Sequence, residues 1–278
     1  MIKPFGNILG KAAGKGDVFL ETAEGWSFRI KRGSLARIGL LFLGIPHMGL
    51  RLRAHYLLPL LSKRFKRSSS LRVLDDGCGF GLYCLEMANR NFQGIVGIDV
   101  DIDRVKASNQ AAANLGLSCD FLVADAEHLP FKEASFQLVL STEVIEHLHD
   151  DEGAIKEISR VLSENGSLCL STPGGSDLSE HVEHSMGHER SGYEQDSLSA
   201  LLENQGLMVD SVRLYASIFG SLSWRANRFF LARLPISIPF LLSSFYPLLM
   251  MALLDRWAQM IIPNPKNYFG WVVSATKK

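Results

Sequence analysis

Between residues 72 and 214, short apolar runs alternate with longer stretches in which apolar positions recur every three or four residues. The runs predict buried strands, and the periodic stretches predict amphipathic helices. The predicted strands span residues 95–99, 121–124, 136–140, 167–171 and 207–214, and the predicted helices span 82–88, 102–115, 152–162 and 196–204. Strands that alternate with helices indicate βαβ units, so we predict an α/β fold with a mostly parallel sheet and helices on both faces.

This alternation fails in three places, and the failures suggest the domain boundaries. Residues 1–69 contain a basic N-terminal extension and a stretch of helical character, which we interpret as a helical cap. Residues 70–278 form the predicted α/β domain, with a long Gly-, Ser- and His-rich lid loop at 173–193 and an apolar helical insertion at 216–262.

A glycine-rich turn follows the first strand of the α/β domain. Gly77, Gly79 and Gly81 occupy every second position, so that a ligand could approach the backbone where the next helix begins. A dinucleotide fingerprint would need glycine where Leu82 stands, and a phosphate-binding loop would need a following Gly-Lys-Ser/Thr. Asp99 ends the next strand, where a carboxylate can accept the two hydroxyl protons of a ribose. The pattern therefore indicates a nucleoside without a pyrophosphate.

Five segments, in this order, resemble the motifs of class I S-adenosylmethionine-dependent methyltransferases. They are Val-Leu-Asp-Asp-Gly-Cys-Gly-Phe-Gly at 73–81, Val-Gly-Ile-Asp at 96–99, Ala-Asp-Ala-Glu-His-Leu-Pro-Phe at 124–131, Ser-Phe-Gln-Leu-Val-Leu at 135–140 and Leu-Ser-Glu-Asn-Gly-Ser-Leu at 162–168. The resemblance implies a Rossmann-like, seven-stranded, mostly parallel sheet whose last strand is antiparallel, with S-adenosyl-L-methionine as the cofactor. Asp76 departs from the family, which usually has a small or apolar residue there.

The resemblance also implies a cofactor site spread over the ends of three strands. Asp75 and the backbone of Gly77 and Gly79 would hold the methionine moiety. Asp99 would accept the ribose hydroxyls, and Asp125 with the backbone amide of its neighbour would meet the edge of the adenine. The cofactor residues thus implied are Asp75, Gly77, Cys78, Gly79, Asp99, Val100, Asp125 and Ala126.

The candidate catalytic residues follow the fourth strand. A methyl group on a sulfonium is already activated, so its transfer needs alignment and a deprotonated nucleophile. Glu143, Glu146 and His147 stand at helical offsets, which predict one helical face at the mouth of the site. His147 could act there as a metal-free base or as a residue that orients the substrate.

The same three residues could instead hold a divalent metal, with a fourth ligand from a lid histidine such as His184. Their Glu-x-x-Glu-His pattern is similar to that of metal-dependent O-methyltransferases that act on ubiquinone precursors and on the 3′ ends of small RNAs. The alternative is a metal-free site in which these residues cap and orient the helix or the cofactor. The lid histidines, His181 and His188 included, would then be solvated.

Substrate contacts are predicted on both sides of the lid. Arg190 and Tyr193 precede the next helix, where the family that the sequence resembles often contacts its substrate. His188 in the lid and Tyr56 on the cap helix are further candidates, although Tyr56 could equally be a packing residue.

The charge balance adds information about possible partners. The chain of 278 residues has 29 basic and 29 acidic side chains, but residues 25–74 contain eleven Lys or Arg and no acidic residue. Residues 234–254 contain no charged residue, although Pro235, Pro239 and Pro247 disfavour a straight membrane span. Basic residues beside apolar stretches favour peripheral contact with a membrane or a hydrophobic lid over a lipid tail. Packing on the domain or against a second subunit is the alternative.

These observations lead to one function and two alternatives. The predicted activity is transfer of a methyl group to a hydrophobic or lipid-linked small molecule, with oxygen favoured as the acceptor. An RNA 2′-O-methyltransferase would need the metal and the basic cap, but aromatic residues are not interleaved with the basic residues, which disfavours nucleic acid. A non-catalytic scaffold at a membrane is the second alternative. Four cysteines without a C-x-x-C pair, and no secretory signal, predict a cytoplasmic protein, free or peripheral on the inner face of a membrane.

Overall fold

The structure is a computed structural model, in which the chain divides into two compact units. The first unit comprises residues 1–63, 176–178 and 214–269, and the second comprises residues 64–175, 179–213 and 270–278. The residues that the structure describes are 5, 8–9, 11–12, 18–21, 27–30, 48–64, 71–174, 189–216, 219–220, 222, 226, 254–255, 257–258, 261 and 270–278.

The described part of the first unit contains a hairpin and a long helix. Strand β1 (Val18–Glu21) pairs antiparallel with β2 (Ser27–Ile30). Helix α1 (Met48–Arg64) includes Pro59 and buries Leu57 and Leu61. Among the described residues, no helix has both the length and the apolar character needed to cross a membrane. Most of the predicted insertion at 216–262 lies outside the described residues, so its predicted form stays a prediction.

The second unit is built on a seven-stranded sheet. Its strands are β3 (Val73–Asp76), β4 (Ile95–Asp99), β5 (Asp120–Val123), β6 (Phe136–Thr142), β7 (Leu162–Pro173), β8 (Leu207–Ala216) and β9 (Gly270–Lys277). Their order across the sheet is β5-β4-β3-β6-β7-β9-β8. The pairs from β5 to β7 are parallel, and β9 runs antiparallel to β7. The predicted mostly parallel sheet with an antiparallel last strand is confirmed.

The strand order reverses beside β3. The chain moves from β3 outwards to β4 and β5, and then returns to place β6 on the opposite side of β3. In open α/β sheets, ligands bind outside the carboxyl ends of the strands at such a reversal. The carboxyl ends of β3 and β6 therefore mark the expected site, and the glycine turn follows one of them directly.

The helices of the second unit begin and end where local chemistry predicts. They are α2 (Leu82–Asn89), α3 (Ile102–Leu115), α4 (Asp151–Val161) and α5 (Gln195–Asn204). Asp101 caps α3 by accepting from two backbone N–H groups, and Gly116 ends that helix in the left-handed conformation. Asp150 caps α4 by accepting from the N–H of Gly153 at 2.8 Å. These caps fix the helix boundaries to within one or two residues of the prediction.

Candidate functional site

The turn after β3 uses glycine because its backbone is left-handed at three positions. Gly77, Gly79 and Gly81 have φ values of 67°, 54° and 68°, which residues with a Cβ rarely adopt. The turn also hydrogen-bonds to the next strand, since the N–H of Cys78 donates to the carbonyl of Ile98 at 2.7 Å. The predicted turn is therefore a rigid extension of the sheet.

The three glycines differ in what surrounds them. A Cβ on Gly77 would collide with Val144, and one on Gly81 would collide with the ring of Phe121. A Cβ on Gly79 would meet no atom within 4 Å. Gly77 and Gly81 are thus needed for packing, whereas the open face of Gly79 leaves the backbone accessible to a ligand. This open cradle fits the methionine moiety of S-adenosylmethionine.

Asp99 connects the glycine turn to β4. Its side chain is buried, with 7% exposure, and its Oδ2 accepts from the N–H of Gly79 at 2.9 Å. Its Oδ1 accepts from the N–H of Asp101 at 2.9 Å. Because a carboxylate can accept about four hydrogen bonds, both oxygens keep capacity for the hydroxyls of a ribose. The hydrogen bond by which Asp99 holds the turn was not predicted from the sequence, and the predicted ribose contact of Asp99 stays a prediction.

The residues predicted to meet the adenine lie beside this carboxylate. The N–H of Ala124 donates to the backbone carbonyl of Asp99 at 3.1 Å, which brings the end of β5 against the end of β4. Asp125 is exposed and accepts from the N–H of Glu127 at 2.9 Å, whereas Ala126 is buried. Val100 is 70% exposed, which is unusual for an apolar side chain next to a buried carboxylate. Exposed apolar surface of this kind suits the flat face of a purine.

Two adjacent carboxyl groups end β3, and both are fully buried in the described structure. The Sγ–H of Cys84 donates to Asp75 Oδ2 at 3.2 Å, and the hydroxyl of Ser141 donates to Asp76 Oδ2 at 3.2 Å. Burial is the main cause that raises the pKa of each carboxyl to about 7. Neither donor was predicted from the sequence. Ser141 carried a signal, since it is a polar residue at the end of an apolar strand.

Cys78 is the predicted cofactor residue between the first two glycines of the turn. Cys78 is half-buried, and burial together with nearby carboxylates raises the pKa of its thiol. The four cysteines are all reduced. Such a thiol stays protonated at neutral pH, so the side chain of Cys78 is not an anion.

The prediction of a helical face at residues 143–148 is wrong. Glu143 has a φ of 56°, and its N–H donates to the carbonyl of Ser171 on β7 at 2.8 Å. Only Ile145–His147 form a single 3₁₀ turn. The helical offsets therefore do not apply, because the chain is held to β7 at one end and turns too tightly at the other.

The three predicted catalytic residues consequently have different environments. Glu143 is half-buried and its Oε1 accepts from the hydroxyl of Ser171 at 3.1 Å. Glu146 is fully buried, and its Oε2 accepts from Thr172 at 3.1 Å. His147 is half-buried. Their catalytic roles stay predictions, but Glu146 acts in this structure as an anchor to β7.

The predicted metal set does not assemble among the described residues. Within that part of the chain, three potential ligand atoms lie within 4.8 Å of one another only at Asp125, Glu127 and His128. Glu143, Glu146 and His147 do not form such a group, and the fourth predicted ligand, His184, lies outside the described residues. The metal therefore stays a prediction, and its three described ligands would have to rearrange to bind it.

Arg190 and Tyr193, which are predicted to contact the substrate, hydrogen-bond to the 3₁₀ turn and the residues that follow it. Arg190 Nη1 donates to the carbonyls of Ile145 and Leu148, both at 2.9 Å, and Nη2 donates to that of His149 at 3.3 Å. The hydroxyl of Tyr193 donates to Asp151 Oδ2 at 2.7 Å. We call these contacts of Arg190 and Tyr193 with residues 145–151 the Arg190 clamp.

The clamp leaves 28% of the Arg190 side chain exposed but encloses most of Tyr193, and the substrate contacts of both residues stay predictions. Tyr193 is buried, with 7% exposure, and burial raises the pKa of its hydroxyl, so it remains a neutral donor. The remaining substrate candidates are not tested at this site. Tyr56 is half-buried in the first unit and packs edge-to-face on His55 with ring centroids 5.5 Å apart. His188, with the lid histidines His181 and His184, lies outside the described residues.

Comparison with known proteins agrees with this geometry. Residues 74–170 match the family described as "Methyltransferase domain". Ajmaline N-methyltransferase from Rauvolfia serpentina is 37% identical over 109 residues, which cover 38% of each chain. A ubiquinone biosynthesis O-methyltransferase from Bradyrhizobium diazoefficiens is 30% identical over 158 residues, which cover 54% of this chain and 57% of the relative. The chain thus spans about two fifths to three fifths of the length of these relatives.

Solved structures show the same fold. Geranyl diphosphate C-methyltransferase from Streptomyces coelicolor A3(2), solved with S-adenosyl-L-homocysteine, has a TM-score of 0.60 at 14% identity and covers 82% of this chain and 77% of its own. The [4+2]-cyclase SpnF has a TM-score of 0.56 at 21% identity, with 81% of this chain and 80% of its own covered. At these identities the likeness concerns the fold alone.

The motif order, the reversal of the sheet beside β3 and the open glycine cradle all agree with the family match. Residues 74–170 therefore match a methyltransferase domain, in agreement with the resemblance of the five motifs to class I S-adenosylmethionine-dependent methyltransferases.

Proposed function

We propose that this protein transfers the methyl group of S-adenosylmethionine to a hydrophobic small molecule. The observation that carries the proposal is the glycine cradle: Gly79 presents an open face, and its N–H is fixed at 2.9 Å from the carboxylate of Asp99. In this proposal the backbone of Gly79 would receive the methionine moiety, and the two carboxylate oxygens of Asp99 would receive the ribose. The cofactor supplies an electrophilic methyl group when it is bound.

The residues of this chain would then position the reactants. Asp99 would fix the ribose and so the angle of the sulfonium, because its own orientation is set by two backbone donors. The turn at residues 143–149, held by the Arg190 clamp, follows the neighbouring strand β6 at the same edge of the sheet. His147 in that turn is the described candidate for accepting the proton of the nucleophile, since histidine is the side chain that most often acts as a general base in enzymes.

Oxygen remains the favoured acceptor in this proposal, and a lipid-linked molecule the favoured substrate. The names of the relatives support a hydrophobic organic substrate: they include ubiquinone biosynthesis O-methyltransferases and an ajmaline N-methyltransferase. The uncharged sequence at residues 234–254 supports contact with an apolar tail or with a membrane surface. The N-methyltransferase among the relatives makes nitrogen the competing acceptor.

Calorimetry on the full-length chain tests the proposal. We expect S-adenosylmethionine to bind, and Asp99→Asn to weaken its binding by about tenfold or more, because one charged acceptor for the ribose is lost. Asp103→Asn is the matched control, since Asp103 is exposed in the first turn of α3. We expect this control to bind like the parent protein.

The acceptor is tested with radiolabelled cofactor and paired substrates. Prenylated phenols and amines of equal chain length are compared in the presence and absence of anionic liposomes. Label transfer to the phenols supports oxygen as the acceptor, whereas transfer to the amines alone contradicts it. Absence of cofactor binding, with no difference between Asp99→Asn and Asp103→Asn, would contradict the enzymatic function as a whole.

A further inference from the structure

Asp76 is the position at which this chain departs from the family in the cofactor turn. It ends β3 immediately before Gly77 and lies between Ile98 on β4 and Ser141 on β6. Its exposure is 0%, although most aspartates are found at protein surfaces. A buried carboxyl group at this point needs a physical reason, because a small or apolar residue would be less costly to bury.

The polar contacts of Asp76 are incomplete in the described structure. Its Oδ2 accepts from the hydroxyl of Ser141 at 3.2 Å. Its Oδ1 is also buried and has no hydrogen-bond partner within the part of the chain that the structure describes. A buried ionised carboxylate is strongly favoured by a nearby positive charge.

The charged groups that act on Asp76 are acidic. Asp75 precedes it on β3, Asp99 ends β4 and Asp125 follows β5, while β6 contributes only the neutral hydroxyl of Ser141. No basic group is among the causes that shift its pKa in the described structure. The chain therefore places negative charge at the cofactor edge without its own counter-charge.

The cofactor of the proposed function supplies such a counter-charge. S-Adenosylmethionine carries a positive sulfonium, whereas the product, S-adenosylhomocysteine, has a neutral thioether in the same place. The two molecules are otherwise alike, so a negative charge near the sulfur separates them by electrostatics. Both also carry the methionine ammonium, which Asp75 is predicted to approach.

We propose that Asp76 is a charge-selecting residue of the cofactor site, which ionises when the sulfonium binds and so favours the methyl donor over the demethylated product. This inference rests on the proposed function. The step is an exchange of charge: protonated Asp76 and the cationic cofactor give the Asp76 carboxylate, the bound cofactor and one proton released to the buffer. No covalent bond to carbon or sulfur changes.

The properties of the carboxyl group support this exchange near neutral pH. Burial, followed by the nearby Asp99 and Asp125, raises the pKa of Asp76 to about 7. At pH 7 the group is therefore protonated in about half of the molecules, so a bound cation can displace a measurable amount of proton. Ser141 provides a neutral donor that supports the ionised form without cancelling its charge.

Calorimetry in two buffers of different ionisation enthalpy, phosphate and Tris, measures the proton directly. With the full-length parent protein at pH 7 we expect S-adenosylmethionine to release about half a proton more per bound molecule than S-adenosylhomocysteine, because Asp75 would contribute equally with both ligands. In Asp76→Asn we expect release with the methyl donor to fall to the level seen with the product. We also expect the ratio of the two affinities to fall by about tenfold.

Asp103→Asn, an exposed carboxyl on α3, is the control and should retain both the release and the ratio. Undiminished release or an unchanged ratio in Asp76→Asn would overturn the inference while leaving the proposed function intact. If Asp76→Asn does not fold, the parent protein alone still tests the proposal. Equal proton release with S-adenosylmethionine and S-adenosylhomocysteine would contradict it. Failure of the parent protein to bind S-adenosylmethionine would instead contradict the proposed function, and this inference with it.

Discussion

At the scale of single residues, Asp75 and Asp76 place two carboxyl groups in the interior where an apolar residue would normally stand at one of the positions. Each has a single described side-chain donor, Cys84 or Ser141, and neither donor is charged at neutral pH. Desolvation therefore outweighs hydrogen bonding, and the pKa of both carboxyls rises to about 7. These two carboxyl groups therefore lower the stability of the folded protein by an amount that increases as the pH rises and they ionise.

The raised pKa of Asp76 predicts how the free energy of unfolding of the unliganded protein changes with pH. Because the folded pKa of Asp76 is about 7 and its usual value is 3.8, the folded state holds the proton more tightly than the unfolded chain. The stabilising contribution is complete below about pH 4 and is lost as the pH rises towards 7. We expect Asp76→Asn to raise the free energy of unfolding at pH 8 by on the order of 2 kcal/mol, and by much less at pH 5.

Urea unfolding of the unliganded chain at the two pH values checks this expectation. Asp103→Asn, whose carboxyl is exposed, should change neither value appreciably. An equal effect of Asp76→Asn at pH 5 and pH 8 would show that the carboxyl is already ionised in the folded protein, contrary to the predicted shift in its pKa.

The sequence predicted the residues of the cofactor turn but not the contact between Ser141 and Asp76, and the difference has a physical reason. Asp75, Gly77, Gly79 and Asp99 lie in motifs whose spacing is local, so both their presence and their position at strand ends could be predicted. Ser141 meets Asp76 across 65 positions of the chain, and that contact depends on strand pairing that no local pattern records. The hydrogen bond between Ser141 and Asp76, which affects the pKa of Asp76, could therefore be identified only in the assembled sheet.

At the scale of elements, the Arg190 clamp explains why the segment after β6 is not a helix. One guanidinium holds the carbonyls of Ile145, Leu148 and His149, which an α-helix would direct along its own axis. The residue that provides it is 45 positions away from Ile145. The local sequence favours a helix, whereas a distant arginine favours the tight turn. The tight turn forms because the arginine satisfies several backbone carbonyls at once, two of them partly buried.

The clamp predicts a destabilised turn when its arginine is removed. Arg190→Ala should lower the free energy of unfolding by about 2 kcal/mol, because partly buried carbonyls lose a charged donor. Arg190→Lys should recover only part of it, since an ammonium cannot reach several carbonyls in the geometry of a guanidinium. Urea unfolding measures the loss, and hydrogen exchange at residues 145–149 locates it.

An exposed ion pair provides a control for the loss of stability expected in Arg190→Ala. Lys106 and Asp103 are 3.6 Å apart, with 68% and 88% of their side chains exposed. Lys106→Ala should cost less than about 1 kcal/mol. If Arg190→Ala costs no more than Lys106→Ala and leaves exchange at residues 145–149 unchanged, Arg190 does not hold the turn, and its predicted contact with substrate regains support.

At the scale of the whole molecule, the motif order predicted the sheet, but not the division of the chain into two units. The first unit combines residues from the N-terminal part with residues 214–269, and most of the chain between these two parts belongs to the second unit. Periodicity describes one segment at a time and carries no information about which distant segments join. The reversal of strand order beside β3 likewise becomes visible only in the assembled sheet.

That reversal brings the predicted cofactor residues to one edge, and it predicts where a ligand protects the chain. Saturating S-adenosylmethionine should slow amide exchange at residues 76–81, 99–101 and 124–127, since those segments meet at the carboxyl ends of β3, β4 and β5. Protection against local opening should reach about 2.7 kcal/mol at a ligand concentration of 100 times Kd. Helix α5 is the internal reference and should change little. Hydrogen exchange with mass spectrometry on the full-length chain, repeated with Asp99→Asn, distinguishes ligand contact from general tightening: protection that is uniform, or that persists undiminished in Asp99→Asn, contradicts a cofactor site at this edge.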